Sequence, residues 1–269
     1  MIRLIALLIC LWSFGADANV PLSLDGHAVE GGLMFGKTDA QARVTLDKKS
    51  VLVSKEGHFL IGFGRDSAGI KNLEVTLRNE IVRREINVVD RDFKIERING
   101  LPGKKVTPDP KAIARIAKEK AQITDAKRAS DSTPHYLSGF GWPVIGRLSG
   151  VYGSQRVLNG KPRRPHYGTD VAAPTGSPVR AIAAGRVAFV HSGMFFNGKT
   201  VLIDHGLGLR SVYIHLSDAK VTKDAYVAAG DVIGAVGATG RATGPHLHFG
   251  VTHNATPIDP EVLLGEMPR

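Results

Sequence analysis

Seven of the ten histidines in this 269-residue chain lie beyond position 139, and three short stretches there gather side chains able to do chemistry. They are Pro165-His166-Tyr167-Gly168-Thr169-Asp170, Tyr213-Ile214-His215-Leu216 and Thr243-Gly244-Pro245-His246-Leu247-His248-Phe249. Residues two apart on a strand share a face, roughly 7 Å from each other. His246 and His248 therefore point one way, with Leu247 and Phe249 on the other face. That spacing suits one imidazole on a metal ion and the other over the water beside it, without saying which is which. His166 and Asp170 would lie about 13 Å apart if extended, too far for one ion with bonds near ~2 Å. Gly168 between them permits the bend that would bring them together, while Pro165 and Gly168 argue against a helix. Histidine and carboxylate ligands without thiolates suit zinc, and three protein ligands leave a fourth position for water. Histidines beyond the ligands can serve as general base or as donors to the transition state. Each stretch alone is compatible with ordinary β-sheet histidines; their joint presence is what points to a site.

The elements that must carry these residues read as strands. Val201-Leu202-Ile203-Asp204 and Leu209 to His215 flank the turn His205-Gly206-Leu207-Gly208 as a hairpin. Alternation in its second strand places Ser211, Tyr213 and His215 on one face and Arg210, Val212 and Ile214 on the other, with His215 at the strand end. His205, in the turn, reads as structural. Upstream, residues 20–89 show short period-two runs broken by Gly, Asp and Lys. Examples are 43–46 and 51–53 about Asp47-Lys48-Lys49, and 73–77 and 81–88 about Asn79-Glu80. This predicts a small antiparallel β-sandwich, in which the isolated His27 and His58 have structural or solvated roles. Between the two β-rich regions, Asp109-Pro110 reads as an N-cap followed by Pro at the first helical position, and Ile113, Ile116, Ala117, Ala121 and Ile123 recur at helical spacing. From Lys94 to Asp131 ten Lys/Arg face five Asp/Glu. This reads as a solvated basic linker helix, with an anion-facing arm as the sharper reading.

The expected organisation is a signal peptide over 1–18, an N-terminal β-sandwich over 19–94, a basic linker over 95–138 with a helix at about 110–129, and a compact antiparallel β-domain over 139–269. In the leader, Arg3 precedes the apolar run Leu4 to Trp12, and Ala16-Asp17-Ala18 forms a small-x-small cleavage site. The run is shorter than the ~20 residues a membrane-crossing helix needs, so the expectation is an exported chain, most readily periplasmic, with no integral membrane segment after cleavage. Cys10, the only cysteine, follows Ile9 and fits a lipoprotein signal poorly; one cysteine excludes a disulfide framework. The net charge of +10 predicts attraction to polyanions. Nucleic acid is not expected, since no basic–aromatic interleaving or recognition motif accompanies the charge.

From about Phe140 to Pro260 the chain resembles the LytM/lysostaphin family of zinc endopeptidases, which cut peptide bridges in bacterial cell walls. The resemblance runs through Gly141-Trp142-Pro143, His166 to Asp170, Ala173-Pro174-Thr175-Gly176-Ser177-Pro178-Val179, Ile203-Asp204-His205-Gly206, Tyr213 to Leu216 and Gly240 to Phe249. The upstream β-domain and basic helix resemble the N-terminal region of some exported members. Carried over residue by residue, the resemblance implies His166, Asp170 and His248 as ligands of one Zn²⁺, and His246 and His215 as catalytic histidines. His246 is then the base toward metal-activated water and His215 the donor to the oxyanion, two roles open to exchange. Tyr152, where relatives carry Phe, is a departure outside the chemistry. The implied partner is peptidoglycan, through its peptide stems or cross-bridges. The alternative is a non-hydrolytic LytM-like module that binds the wall and activates an amidase, but such modules have lost their metal ligands, and here every position is filled. The N-terminal domain is expected to position the enzyme rather than to restrain it by lying across the groove.

Overall fold

A computed structural model describes residues 20–101, 103–128 and 131–268. The leader assigned to 1–18, and Cys10 with it, lies outside the described residues. Seven strands open the chain: β1 (Leu22–Gly26), β2 (Leu33–Thr38), β3 (Arg43–Leu46), β4 (Lys49–Val51), β5 (His58–Gly62), β6 (Gly69–Leu77) and β7 (Glu80–Val88). They form two antiparallel sheets, ordered β1-β2-β5 and β4-β3-β6-β7. The β3–β4 hairpin turns on Asp47 and Lys48, both at positive φ (47° and 66°), the backbone that lets a two-residue turn follow the twist of its strands. Alternation along β5 decides how this sandwich meets the rest of the protein. Phe59 and Ile61 face Val44, Leu73, Val75 and Val88 in the sandwich core. Leu60, from the opposite face, joins Leu33 in the larger C-terminal core. Both faces of the small sheet are thus covered.

The stretch read as a linker is built into the body of the protein. It begins with β8 (Ile95–Ile98), followed by a single helical turn, α1 (Gly103–Val106), and then α2 (Pro110–Ala126). The Asp109 side chain accepts from the Ala112 N–H at 2.7 Å and Pro110 opens the helix, as the Asp-Pro pair predicts. α2 is docked rather than solvated along its length: Glu119 is buried, bonded to Arg115 at 2.7 Å, and accepts the Phe195 N–H at 2.9 Å.

The remaining strands are β9 (Arg147–Gly150), β10 (Gln155–Leu158), β11 (Lys161–Pro162), β12 (Thr169–Ala172), β13 (Pro178–Arg180), β14 (Gly185–Met194), β15 (Gly198–Asp204), β16 (Leu209–Leu216), β17 (Asp218–Ala219), β18 (Tyr226–Val227), β19 (Val232–Ala235), β20 (Leu247–His253) and β21 (Thr256–Ile258), closed by α3 (Pro260–Leu264). The main sheet runs β18-β14-β15-β16-β20-β12-β9 with β21 on β20, antiparallel throughout. β16 and β20 are central, and Leu209, Tyr213, Leu247, Phe249 and Val251 are fully buried between layers. A small sheet β13-β19-β17 packs beside it. The third accessory sheet, β11-β10-β8, joins β10 to β8 in parallel across some sixty residues of chain. The architecture is mainly β, as the sequence predicts. No described helix is long and apolar enough to cross a membrane.

Candidate metal centre

Strand register brings two of the three expected ligands together. Asp170 on β12 lies directly opposite His248 on β20, and His166 reaches them from the loop leading into β12. The His166 Nε2 atom is 2.8 Å from His248 Nδ1 and 3.2 Å from Asp170 Oδ1, and His248 Nδ1 is 2.7 Å from Asp170 Oδ1. The bend that closes this triangle depends on Gly168 for room rather than for an unusual backbone angle. A Cβ there would stand 2.5 Å from the Phe249 carbonyl oxygen and 2.9 Å from the His248 ring. Gly150 is needed for the same reason, since a Cβ would lie 2.5 Å from Asp170 Oδ2.

The partners behind these atoms fix which lone pairs face the centre. His166 Nδ1 donates to the Val151 carbonyl at 3.1 Å, leaving Nε2 as the acceptor. Arg156 Nη2 holds Asp170 Oδ2 at 2.5 Å, leaving Oδ1 turned to the histidines. Arg156 Nε reaches Glu96 of β8 at 3.4 Å, and the other Glu96 oxygen accepts the Val151 N–H at 3.3 Å. One carboxylate from the presumed linker therefore stands behind both His166 and Asp170. Burial alone would raise the Asp170 carboxyl, but the hydrogen bonds and charge of His166 and His248 hold it well below its ordinary value. Burial pushes His248 down to about 4 against the pull of Asp170. Three possible ligand atoms packed this closely can converge on one positive centre. Two imidazole nitrogens and one carboxylate oxygen suit a small divalent cation, whose tetrahedral bonds of about 2.0 Å place ligand atoms about 3.3 Å apart.

His215 and His246 stand beside this cluster. Their rings are 4.8 Å apart between centroids, and His215 is 6.2 Å from the His248 ring in an edge-on contact. Each is anchored through Nδ1 on a backbone carbonyl, His215 on Thr239 and His246 on Gly244, both at 2.8 Å. Each keeps Nε2 for other use. His215 occupies the left-handed region at φ 64°, and the β15–β16 register slips between Lys199 and Val201. This bulge breaks the predicted alternation of Ser211, Tyr213 and His215. Tyr213 packs on Phe249 and bonds the Ile182 N–H in the core, whereas His215 and its neighbour Ile214 both line the cleft. Burial first, then the charges of His248 and His246, lowers His215 to about 3.

All five expected site residues thus meet at one end of the main sheet, beside a cleft of about 660 Å³. His205 is elsewhere, buried in the turn with Nδ1 on the Ala184 carbonyl at 2.8 Å and Nε2 beside Ser211 Oγ at 2.7 Å, which agrees with a structural role. Neither His27 nor His58 lines the cleft. Sequence reasoning missed Arg156, Glu96, Thr239 and Arg241; none carries a local motif, and in a basic chain one arginine does not stand out.

A model of peptidase family M23 matches residues 164–260, which include the four site histidines and the aspartate. Among solved structures, a peptidase M23 from Pseudomonas aeruginosa is 33% identical with a TM-score of 0.68, covering 88% of this chain and 95% of that one. Among curated proteins, peptidoglycan DD-endopeptidase ShyA of Vibrio cholerae is 30% identical over 200 residues, 74% of this chain and 44% of that protein. The DD-carboxypeptidase/endopeptidase Mpg of Neisseria meningitidis is 46% identical over 98 residues, 36% of this chain and 22% of that protein. The chain spans less than half the length of either curated relative. A solved homologue matched over nearly its whole length, together with a family match across the entire triangle of acceptors, makes this chain a member of peptidase family M23.

Proposed function

We propose that this protein is an exported, most readily periplasmic, zinc metalloendopeptidase that hydrolyses peptide cross-links of bacterial peptidoglycan. The observation that carries the reading is the meeting of His166 Nε2, Asp170 Oδ1 and His248 Nδ1 within 4.8 Å of one another, with two further imidazoles beside them. His166, Asp170 and His248 would hold one zinc ion, which when bound supplies Lewis acidity toward water and a scissile carbonyl. His246 and His215 do the proton work. With Nδ1 tied to a carbonyl, each ring presents Nε2 to take a proton from attacking water or, once protonated, to donate to the developing oxyanion and the leaving amine. We assign the base to His246 and the donor to His215; their like anchoring leaves the roles exchangeable. Names of relatives such as peptidoglycan DD-endopeptidase support the substrate class. The complete ligand set weighs against the non-hydrolytic, amidase-activating alternative.

The test is direct. The purified protein should retain about one zinc per chain and solubilise sacculi, and His166→Ala should lose both properties. Digestion by a metal-free His166→Ala protein would overturn the reading.

A further inference from the structure

His215 reaches the cleft on a backbone that a regular strand does not supply. Its φ of 64° lies in the left-handed region, which a non-glycine residue occupies only where its surroundings hold it there. The main chain of His215 is held on both sides. Its N–H donates to the Asn197 carbonyl at 2.8 Å, and its carbonyl accepts the Thr239 N–H at 3.3 Å. The Thr239 carbonyl in turn accepts from His215 Nδ1 at 2.8 Å. One residue, Thr239, therefore grips both the backbone and the ring of His215. Thr239 is itself fixed through its side chain. Lys199 and Leu216 are register partners beside the point where the β15–β16 ladder slips. The Thr239 hydroxyl bridges them, accepting the Lys199 N–H at 2.9 Å and donating to the Leu216 carbonyl at 2.9 Å. Gly198 leaves the space for this, since a Cβ there would overlap the hydroxyl. Thr239 lines neither the cleft nor the small cavity beside His246, so its side chain acts on the site only through what it holds.

We propose that Thr239 is a positioning residue for hydrolysis: its hydroxyl spans the bulge, and that span sets His215 Nε2 over the cleft. The effect on rate rests on the peptidase reading, whereas the effect on the His215 ring does not. Without the hydroxyl, the Lys199 N–H and the Leu216 carbonyl each lose a partner, and the loop carrying the Thr239 carbonyl loses a tie to β15 and β16. The imidazole then loses the fixed acceptor that keeps its proton on Nδ1 and leaves Nε2 bare. A reacting group misplaced by about 1 Å costs on the order of a hundredfold in rate, so a modest relaxation of the bulge is enough to be read in turnover.

The experiment uses the full zinc-loaded chain, a soluble cross-linked peptide, and the variants Thr239→Val, Thr239→Ala and Thr239→Ser. Val and Ala should each lower kcat by about tenfold or more, with KM unchanged and zinc still at one per chain. Ser, which keeps the hydroxyl, should recover most of the rate. In a His215→Ala background, Thr239→Val should cost little of the residual rate, because the hydroxyl acts through that ring. Nitrogen-15 NMR of the imidazoles gives a readout apart from turnover. Native His215 should carry its proton on Nδ1, and the Val and Ala variants should populate both tautomers. If Val does not fold, Ala, which adds no bulk, carries the same tests. Native kcat in the variants lacking the hydroxyl, a loss that Ser does not rescue, or an equal loss without His215 would overturn the proposal. Should the native chain cleave no peptide, the peptidase reading falls, and the His215 tautomer alone then judges Thr239: an unchanged tautomer in the variants would end its role as well.

Discussion

With Oδ2 held by Arg156 at 2.5 Å, the Asp170 carboxylate has only Oδ1 to offer toward His166 and His248. Loss of such an outer partner typically weakens metal retention ten- to a hundredfold. Arg156→Met should therefore lose zinc to a competing chelator at roughly tenfold lower chelator concentration or less, with Arg156→Lys recovering only part, because Lys lacks the fork. A second prediction concerns His205, whose pKa burial pushes down to about 4. The unfolded chain takes up that proton near 6.5, so it binds more protons than the folded one between the two values. The stabilisation is complete above about 6.5 and disappears as pH falls toward 4, a loss of about 3 kcal/mol. The urea midpoint should drop over this window, and His205→Gln should flatten the drop while leaving the share due to His253, which burial lowers to about 4 as well. At this scale the sequence is informative where chemistry is local. His248 lies on β20 with His246 in an isolated bridge just before it, and His166 and Asp170 share a bend. Arg156 and Glu96 stay hidden because their meaning arises only when strands distant in sequence pair.

The element that makes this pairing is β8, four residues long and parallel to β10. Its pattern, Ile95-Glu96-Arg97-Ile98, is too short to stand out from a charged linker. The β3–β4 and β6–β7 hairpins, by contrast, are legible from alternation and turn residues, as is the β15–β16 hairpin. What alternation could not foresee is the bulge that turns His215 into the cleft, since a bulge is an extra residue with no signature of its own here. Glu96 links β8 to the ligands through Arg156 and through Val151. Glu96→Gln should hold zinc less tightly than the native chain but more tightly than Arg156→Met. The double variant should lose less than the sum of the two single losses, since part of the Glu96 contribution passes through Arg156. Chelator competition across the four proteins reads this coupling, and additive losses would show that Glu96 acts elsewhere.

Across the whole molecule, the N-terminal sandwich is fastened to the main sheet by more than tethering. Leu33 and Leu60 enter the large core, Arg65 donates to the Gly153 carbonyl at 2.6 Å, and Arg91 pairs with the buried Asp259 at 2.8 Å. Asp259 also caps α3 through the Glu261 N–H, so it cannot easily turn to solvent when its partner is lost. Arg91→Ala should cost about 3 kcal/mol, read as a lower urea midpoint in a single transition that still takes both parts of the protein together. The net positive charge, read from composition as an attraction to polyanions, is concentrated in part on the cleft wall.

The parallel seam between β8 and β10 bears on how members of this family could be recombined. The residues shared with the family model, 164–260, carry the imidazoles and the aspartate but neither Glu96 nor Arg156. A chimera that imported that stretch alone would inherit the ligands without their moorings and would be starved for metal in dilute zinc. Splicing upstream of Ile95 keeps seam and ligands together, and such a hybrid should stay charged where the shorter graft runs empty.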